Sequence, residues 1–416
     1  MASPQPSASP RPQLPRGLAQ PAAPRQAFIE SLRGLAACQV LLLHYCAAFL
    51  PVLARLPGPA HFAAEASLSH SPLFALLDGY SAVYLFFVMS GFVLAPSFLR
   101  APQGAPALAG KRFVRLFLPG LAAFCCAVLL RLALPQAREA AVAIGQSGWL
   151  HGLGLNTMDW NALARDGLWD SMLAGYQNAS VFSPWPAVAD MLGLTPIATA
   201  MNPPMWTLHV EFWGSMLLIV VARSFRRLPQ WLFWPVFLLL AWVAGSGHFQ
   251  LFLAGFLLYR VHEPLLRWTH WTASLAGVLL AAAGLYVSAS KQVPLMSAIW
   301  QSAGHFGLLS AESDFHWQSQ VGALLVFCGV LLCAPLRRAL ASGVTLWLGR
   351  LSFSVYLLHF PIMLTVGCAV FALLAPQSYA LAFAASLLAG GALTLFCAHY
   401  FERWVDRRSV AASRRI

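Results

Sequence analysis

The chain carries a series of apolar runs, each near the length that crosses a hydrocarbon core. About 20 mostly apolar residues suffice for a helix to span ~30 Å of lipid. Ten such runs are read at 33–53, 80–98, 113–134, 205–222, 231–247, 248–261, 271–289, 319–336, 353–375 and 379–400. The fifth and sixth are the weakest, with His248 and Gln250 between them. Composition agrees: 59% of residues are hydrophobic and 10% charged, against roughly a quarter charged in a soluble domain. So few charges cannot cover a water-soluble surface, which excludes an ordinary cytosolic enzyme, a disordered chain and a disulfide scaffold. The expected fold is all-α: a polytopic membrane protein of about ten transmembrane helices.

The arginines orient it. With the N-terminus inside and the runs alternating, 21 of the 26 Lys and Arg residues fall on the cytoplasmic side, leaving Arg55, Arg131, Arg138, Arg165 and Lys291 outside. That asymmetry follows the positive-inside rule and places both termini in the cytoplasm. The net charge of +12 is then a topological signal and not a nucleic-acid footprint. Residues 1–27 hold seven Pro and three Arg with no apolar run, so they read as a disordered cytoplasmic tail and not a signal peptide. Residues 405–416 form a basic cytoplasmic tail. The eight cysteines lie in apolar stretches without a CxxC pair; they read as packing residues, and no metal site is expected.

Two outer segments are long. The insert 135–204 carries Trp149, Trp160, Trp169 and Trp185 with four Asp, and a connection of that length is commonly a lid or small packed unit. Short amphipathic helices on the outer membrane surface are expected there. The loop 290–318 carries Trp300, His305, Glu312, Asp314, His316 and Trp317. Aromatic and acidic residues together suit a sugar-like acceptor; they equally suit an interfacial aromatic belt.

Ionisable residues inside spans are costly and mark function by default. Arg33 and His44 are eleven residues apart on the first run; at about 100° per residue that is within about 20° of three turns, so they share a face, with His44 ~16 Å deeper. On the fourth run Thr207 and Glu211 are i and i+4. Glu211 reads either as a packing carboxyl or as a functional one, and the cost of burying it favours function. On the ninth run Ser352, Tyr356 and His359 form one stripe, with Pro361 placing a kink just beyond. At the mouth of the third run Arg112 and Arg115 are i and i+3, side by side, a pairing suited to phosphates. Lys111 beside them reads as positive-inside topology.

These stretches, in this order, resemble the integral-membrane acyltransferase-3 family: Glu30-Ser-Leu-Arg33 with His44 after ten intervening residues; Tyr84-Leu-Phe-Phe-Val-Met-Ser90-Gly91-Phe92; Arg112-Phe-Val-Arg115; Trp206-Thr-Leu-His-Val-Glu211-Phe; Leu348-Gly349-Arg350-Leu-Ser352-Phe-Ser-Val-Tyr356-Leu-Leu-His359; and Phe401-Glu402. The match runs from about 28 to 404, which delimits a membrane acyltransferase domain. Two departures are Glu30, where the family often has Asp, and Pro119, which follows the Arg pair later than usual. The resemblance implies ten core helices and transfer of an acyl group, commonly acetyl, from cytoplasmic acyl-CoA to a hydroxyl of a carbohydrate, glycolipid or small molecule. It implies roles for Arg33, His44, Arg112 and Arg115.

The residues then allow a mechanism. Arg33, Arg112 and Arg115 bind the phosphates of acyl-CoA, the donor substrate. His44 acts as general base on the acceptor hydroxyl. Glu211 orients His44 or stabilises its cation, and Tyr356, Ser90 or His359 donates to the developing oxyanion. No resident cofactor is called for. Expected partners are acyl-CoA, the hydroxyl acceptor and the bilayer, with no nucleic acid, and the expected location is an integral membrane, the cytoplasmic (inner) one if the source is bacterial. The competing function is a transporter or flippase for a polar or lipid-linked substrate without acyl chemistry, which also uses buried His, Glu and Arg.

Overall fold

The structure is a computed structural model and describes residues 27–243, 247–289, 298, 302 and 314–416. Residues 1–26 of the expected disordered tail 1–27, and most of the loop 290–318, lie outside the described residues.

The described chain is all-α, with no strand among the described residues. Ten long helices carry the ten apolar runs: α1 (Ala27–Phe49), α2 (Gly79–Arg100), α3 (Ala105–Ala133), α4 (Trp206–Arg227), α5 (Gln230–Val243), α6 (Gly247–Arg267), α7 (Trp271–Ala289), α8 (Asp314–Leu332), α9 (Gly343–Ile362) and α10 (Tyr379–Phe401). Among the described residues, seven stretches are long and apolar enough to cross a membrane: α1, α2, α3, Pro203–Arg227, α7, Gly343–Leu374 and Tyr379–Ser413. The run containing α8 makes an eighth if its two helices, bent by 97° between Leu332 and Ala334, count as one span. The expected ten spans would need α5 and α6 to cross as well. α5 has only 14 residues, too few for a full crossing. α6 carries Arg260, His262, Glu263 and Arg267 in its last two turns. The protein is an integral membrane protein of at least seven membrane-length helices.

Small residues set the helix spacing, as expected where lipid gives helices no hydrophobic reason to associate. A Cβ on Gly34 of α1 would lie 2.5 Å from Gly349 N of α9, and Gly349 in turn faces the Glu30 carbonyl. The two backbones therefore meet, and the faces of α1 and α9 that carry His44 and His359 are locked together. Gly91 and Gly255 bring α2 and α6 together in the same way.

One end of the bundle collects the arginines. There Arg226 donates to Ala101 O, Arg115 to Asp406, and Arg337 to Leu266 O. The insert 135–204 covers the opposite end. It consists of short helices, as expected, but they are packed into the bundle. Ser147 Oγ donates to Ala47 O of α1 (2.7 Å), and Met172, Leu163 and Met201 join a core with α3, α4 and α9. Two buried acids organise the insert. Asp166 accepts from Tyr176 Oη (2.5 Å) and Met201 N (2.8 Å), while Asp170 accepts from Arg165 Nε (3.1 Å) and Thr195 Oγ1 (2.9 Å). Burial pushes the Asp166 carboxyl up to about 6, against the pull of its two donors.

Candidate active site

Pro361 sits within α9 and has no N–H, so the carbonyl of Leu357 loses its helical partner. Asn202, at the end of the insert, fills the gap by donating Nδ2–H to Leu357 O at 2.9 Å. Beyond Pro361 the helix widens into a π turn at Met363–Gly367, a local form frequent at functional sites. Two residues before the proline, this distorted segment presents His359, fully buried.

His359 Nδ1 lies 3.0 Å from the Val355 carbonyl, which can only accept, so Nδ1 bears the proton. The other nitrogen, Nε2, must then be a lone pair. It lies 2.8 Å from Nδ1 of His44. The two rings are nearly parallel (10°) with centroids 5.1 Å apart; combined with the short N···N distance, this is an in-plane, edge-to-edge bond and not a stack. His44 Nδ1 therefore donates, and its Nε2 carries a free lone pair. Carbonyl, imidazole and imidazole form a chain that fixes the tautomer of His44. Trp149 from the insert lies over His44 with ring planes 13° apart and centroids at 5.7 Å, and Phe360 meets the His44 ring edge-on at 5.0 Å.

Two cavities reach this region. A cavity of about 260 Å³ at the basic end is lined by Arg33, Arg112, Arg115, Ser90, Glu211 and Thr207, among others. Arg112 Nη2 bonds Glu211 Oε1 at 2.7 Å, and its Nε donates to Ser215 Oγ at 3.0 Å. Arg115 Nη1 bonds Asp406 Oδ1 at 2.7 Å. Arg33 lines the same space with neither hydrogen bond nor ion pair among the described residues. A second cavity of about 360 Å³, on the insert side, is lined by His44, Trp149, Tyr80, Tyr84, Trp206 and His248, with Asn178 at its edge. Val83 and Tyr356 line both. The Tyr356 hydroxyl accepts from Thr207 Oγ1 (3.1 Å) and donates to Pro204 O (3.2 Å), so the partition is held in place from α4.

The structure thus brings His44, His359 and Tyr356 together on one side, and Arg33, Arg112, Arg115, Ser90 and Glu211 on the other. One expected contact is corrected. Glu211 does not reach His44; it lines the arginine cavity, where a buried guanidinium claims it. The group on His44 is His359, one of the three expected oxyanion donors, whose Nε2 instead accepts a hydrogen bond from His44 Nδ1. Ser352 of the same stripe is buried and lines neither cavity. The sequence reading missed Trp149, Val83, Asn202 and Trp206 as site-forming residues. Trp149 looked like any interfacial tryptophan, and His248 looked like a break in a span. His209, in the fourth motif, is structural: its Nε2 accepts from Val181 N at 3.0 Å and pins the insert to α4.

A family model described as an acyltransferase domain matches residues 26–400. A fungal protein named O-acetyltransferase PaAT-1, from Phomopsis amygdali, is 22% identical over 438 residues, covering 93% of this chain and 83% of that protein. No solved structure matches the chain significantly.

Proposed function

We propose, on the premise that this chain belongs to the acyltransferase-3 family, that it moves a short acyl group from acyl-CoA at its basic end to a hydroxyl acceptor held at its insert end. The chain is a membrane acyltransferase; donor, acceptor and base are what the site supports. The carrying observation is the pair of cavities that meet at Val83 and Tyr356, one rich in arginine, the other holding His44. The similar fungal protein's name makes O-acetyl transfer the first choice. A transporter reading leaves both the family and the fixed tautomer of His44 unaccounted for.

The basic end faces the cytoplasm by the positive-inside rule. Coenzyme A phosphates dock on Arg33, which has no hydrogen-bond or ion-pair partner among the described residues, and on Arg112 and Arg115 through charge-assisted bonds. The pantetheine arm reaches inward past Ser90 to the partition. His44 lies ~16 Å deeper than Arg33 along α1, the scale of such an arm. The acceptor hydroxyl lies in the aromatic cavity with its O–H donating to His44 Nε2. His44 takes that proton as the oxygen attacks the thioester carbon; the new C–O bond forms, the C–S bond breaks, and the proton passes to the leaving thiolate. The imidazolium keeps its Nδ1–H on His359 throughout. Tyr356, at the junction, turns its single O–H from Pro204 O to the carbonyl oxygen as charge grows there. No acyl-enzyme is needed.

The test uses the purified full chain with acetyl-CoA. Arg112→Ala with Arg115→Ala should raise the donor KM about tenfold or more with little change in kcat, and His44→Ala should lower kcat by roughly 10²–10⁴. An unaltered donor dependence, or full turnover without His44, would refute the assignment. Mass spectrometry of glycans and lipids from cells with and without the protein would identify the acceptor by loss of one acetyl mass.

A further inference from the structure

The two cavities share only Val83 and Tyr356 among their lining residues. Resting on the donor and acceptor sites just proposed, we infer that this pair is the filter that sets acyl length, admitting acetyl and rejecting longer chains.

The thioester arrives in the arginine cavity, while His44 lines the other one. The reacting carbonyl must therefore sit at the partition, and its alkyl tail must pass through it or beside it. Neither partition residue yields easily. Tyr356 is 7% exposed, its hydroxyl is tied to Thr207 and Pro204, and Phe86 meets its ring at 5.9 Å. Val83 is β-branched on a helix, which leaves its side chain one strongly preferred rotamer. Its neighbours Ala82 and Tyr84 are buried, so α2 cannot shift locally to make room. A methyl group needs little space beside such a pair; each added methylene needs more. A longer chain has somewhere else to go: the arginine cavity is walled by Val93, Leu94, Leu116 and Leu208. Longer donors should thus bind with their phosphates on the arginines and their tails folded back, and fail to place the carbonyl at His44. Discrimination appears in kcat and not in KM.

The measurement is release of free CoA thiol by the purified full chain in detergent, from acetyl-, butyryl- and hexanoyl-CoA, with water as acceptor. The wild type should favour acetyl over hexanoyl in kcat by at least about tenfold, the scale of methylene discrimination in apolar sites, at similar KM. Val83→Ala should raise the butyryl-to-acetyl ratio of kcat about tenfold, and Val83→Leu, which keeps the core filled, should lower it. A wild type indifferent to chain length would overturn the filter. So would a ratio that moves less than twofold in both variants. Arg33→Ala separates the two readings: it should weaken all three donors equally, and indifference to it would overturn the donor site itself, whatever the Val83 ratios show.

Discussion

Replacing His359 with Leu keeps most of the volume and removes the acceptor for His44 Nδ1–H. The 2.8 Å bond between the rings joins two neutral groups, with His359 fully buried and His44 half-buried at the wall of the insert-side cavity. Leaving a buried N–H unpaired costs about 1–3 kcal/mol. The imidazole escapes that cost by rotating or by moving its proton to Nε2, and either escape removes the lone pair that faces the acceptor cavity. At 1.36 kcal/mol per decade, kcat should fall about 5- to 150-fold. Removing His44 itself forfeits the base, so His44→Ala should be worse, roughly 10²–10⁴-fold. Donor KM should stay constant in both, because the arginines line a different cavity. His359→Gln restores an acceptor oxygen and should recover part of the loss. The assay is steady-state acyl transfer by protein of matched monodispersity and thermal stability. Wild-type kcat in His359→Leu, or a glutamine variant no better than leucine, would refute the tautomer-fixing role.

Asn202→Ala should orphan the Leu357 carbonyl and lower stability by about 1–3 kcal/mol, read as a lower Tm in detergent. Gly349→Leu should destabilise more than any of these changes, since the new side chain would meet the Glu30 backbone; the check is recovery of monodisperse protein. The Asp166 carboxyl, raised to about 6 from an ordinary 3.8, contributes stability that is complete below pH 3.8 and is lost as pH rises through about 6, on the order of 2–3 kcal/mol locally. Hydrogen exchange in 160–201 should therefore quicken between pH 4 and 7 beyond its intrinsic pH dependence, and Asp166→Asn should remove that excess.

Arg33, His44, Arg112, Arg115, Tyr356 and His359 were legible because charge and imidazole inside apolar runs have few reasons to be there, and helical spacing says which of them share a stripe. The apolar runs likewise announced their helices, since lipid forces backbone groups to pair within each segment. Partnership was not legible. Glu211 and His44 sit at compatible depths by rise per residue, but depth leaves rotation about each helix axis free, and that rotation sends Glu211 to Arg112. Trp149 and Asn202 carry no periodic signal, because they act from irregular segments whose position depends on what they cover. Val83 is an ordinary apolar residue in an ordinary run. The sequence alone therefore determined the solvent, the helices, and which side chains were too costly to be idle. Only packing decided how those side chains pair and that two cavities meet at a valine and a tyrosine, because contacts between distant segments depend on helix rotation and close approach, which local spacing leaves undetermined.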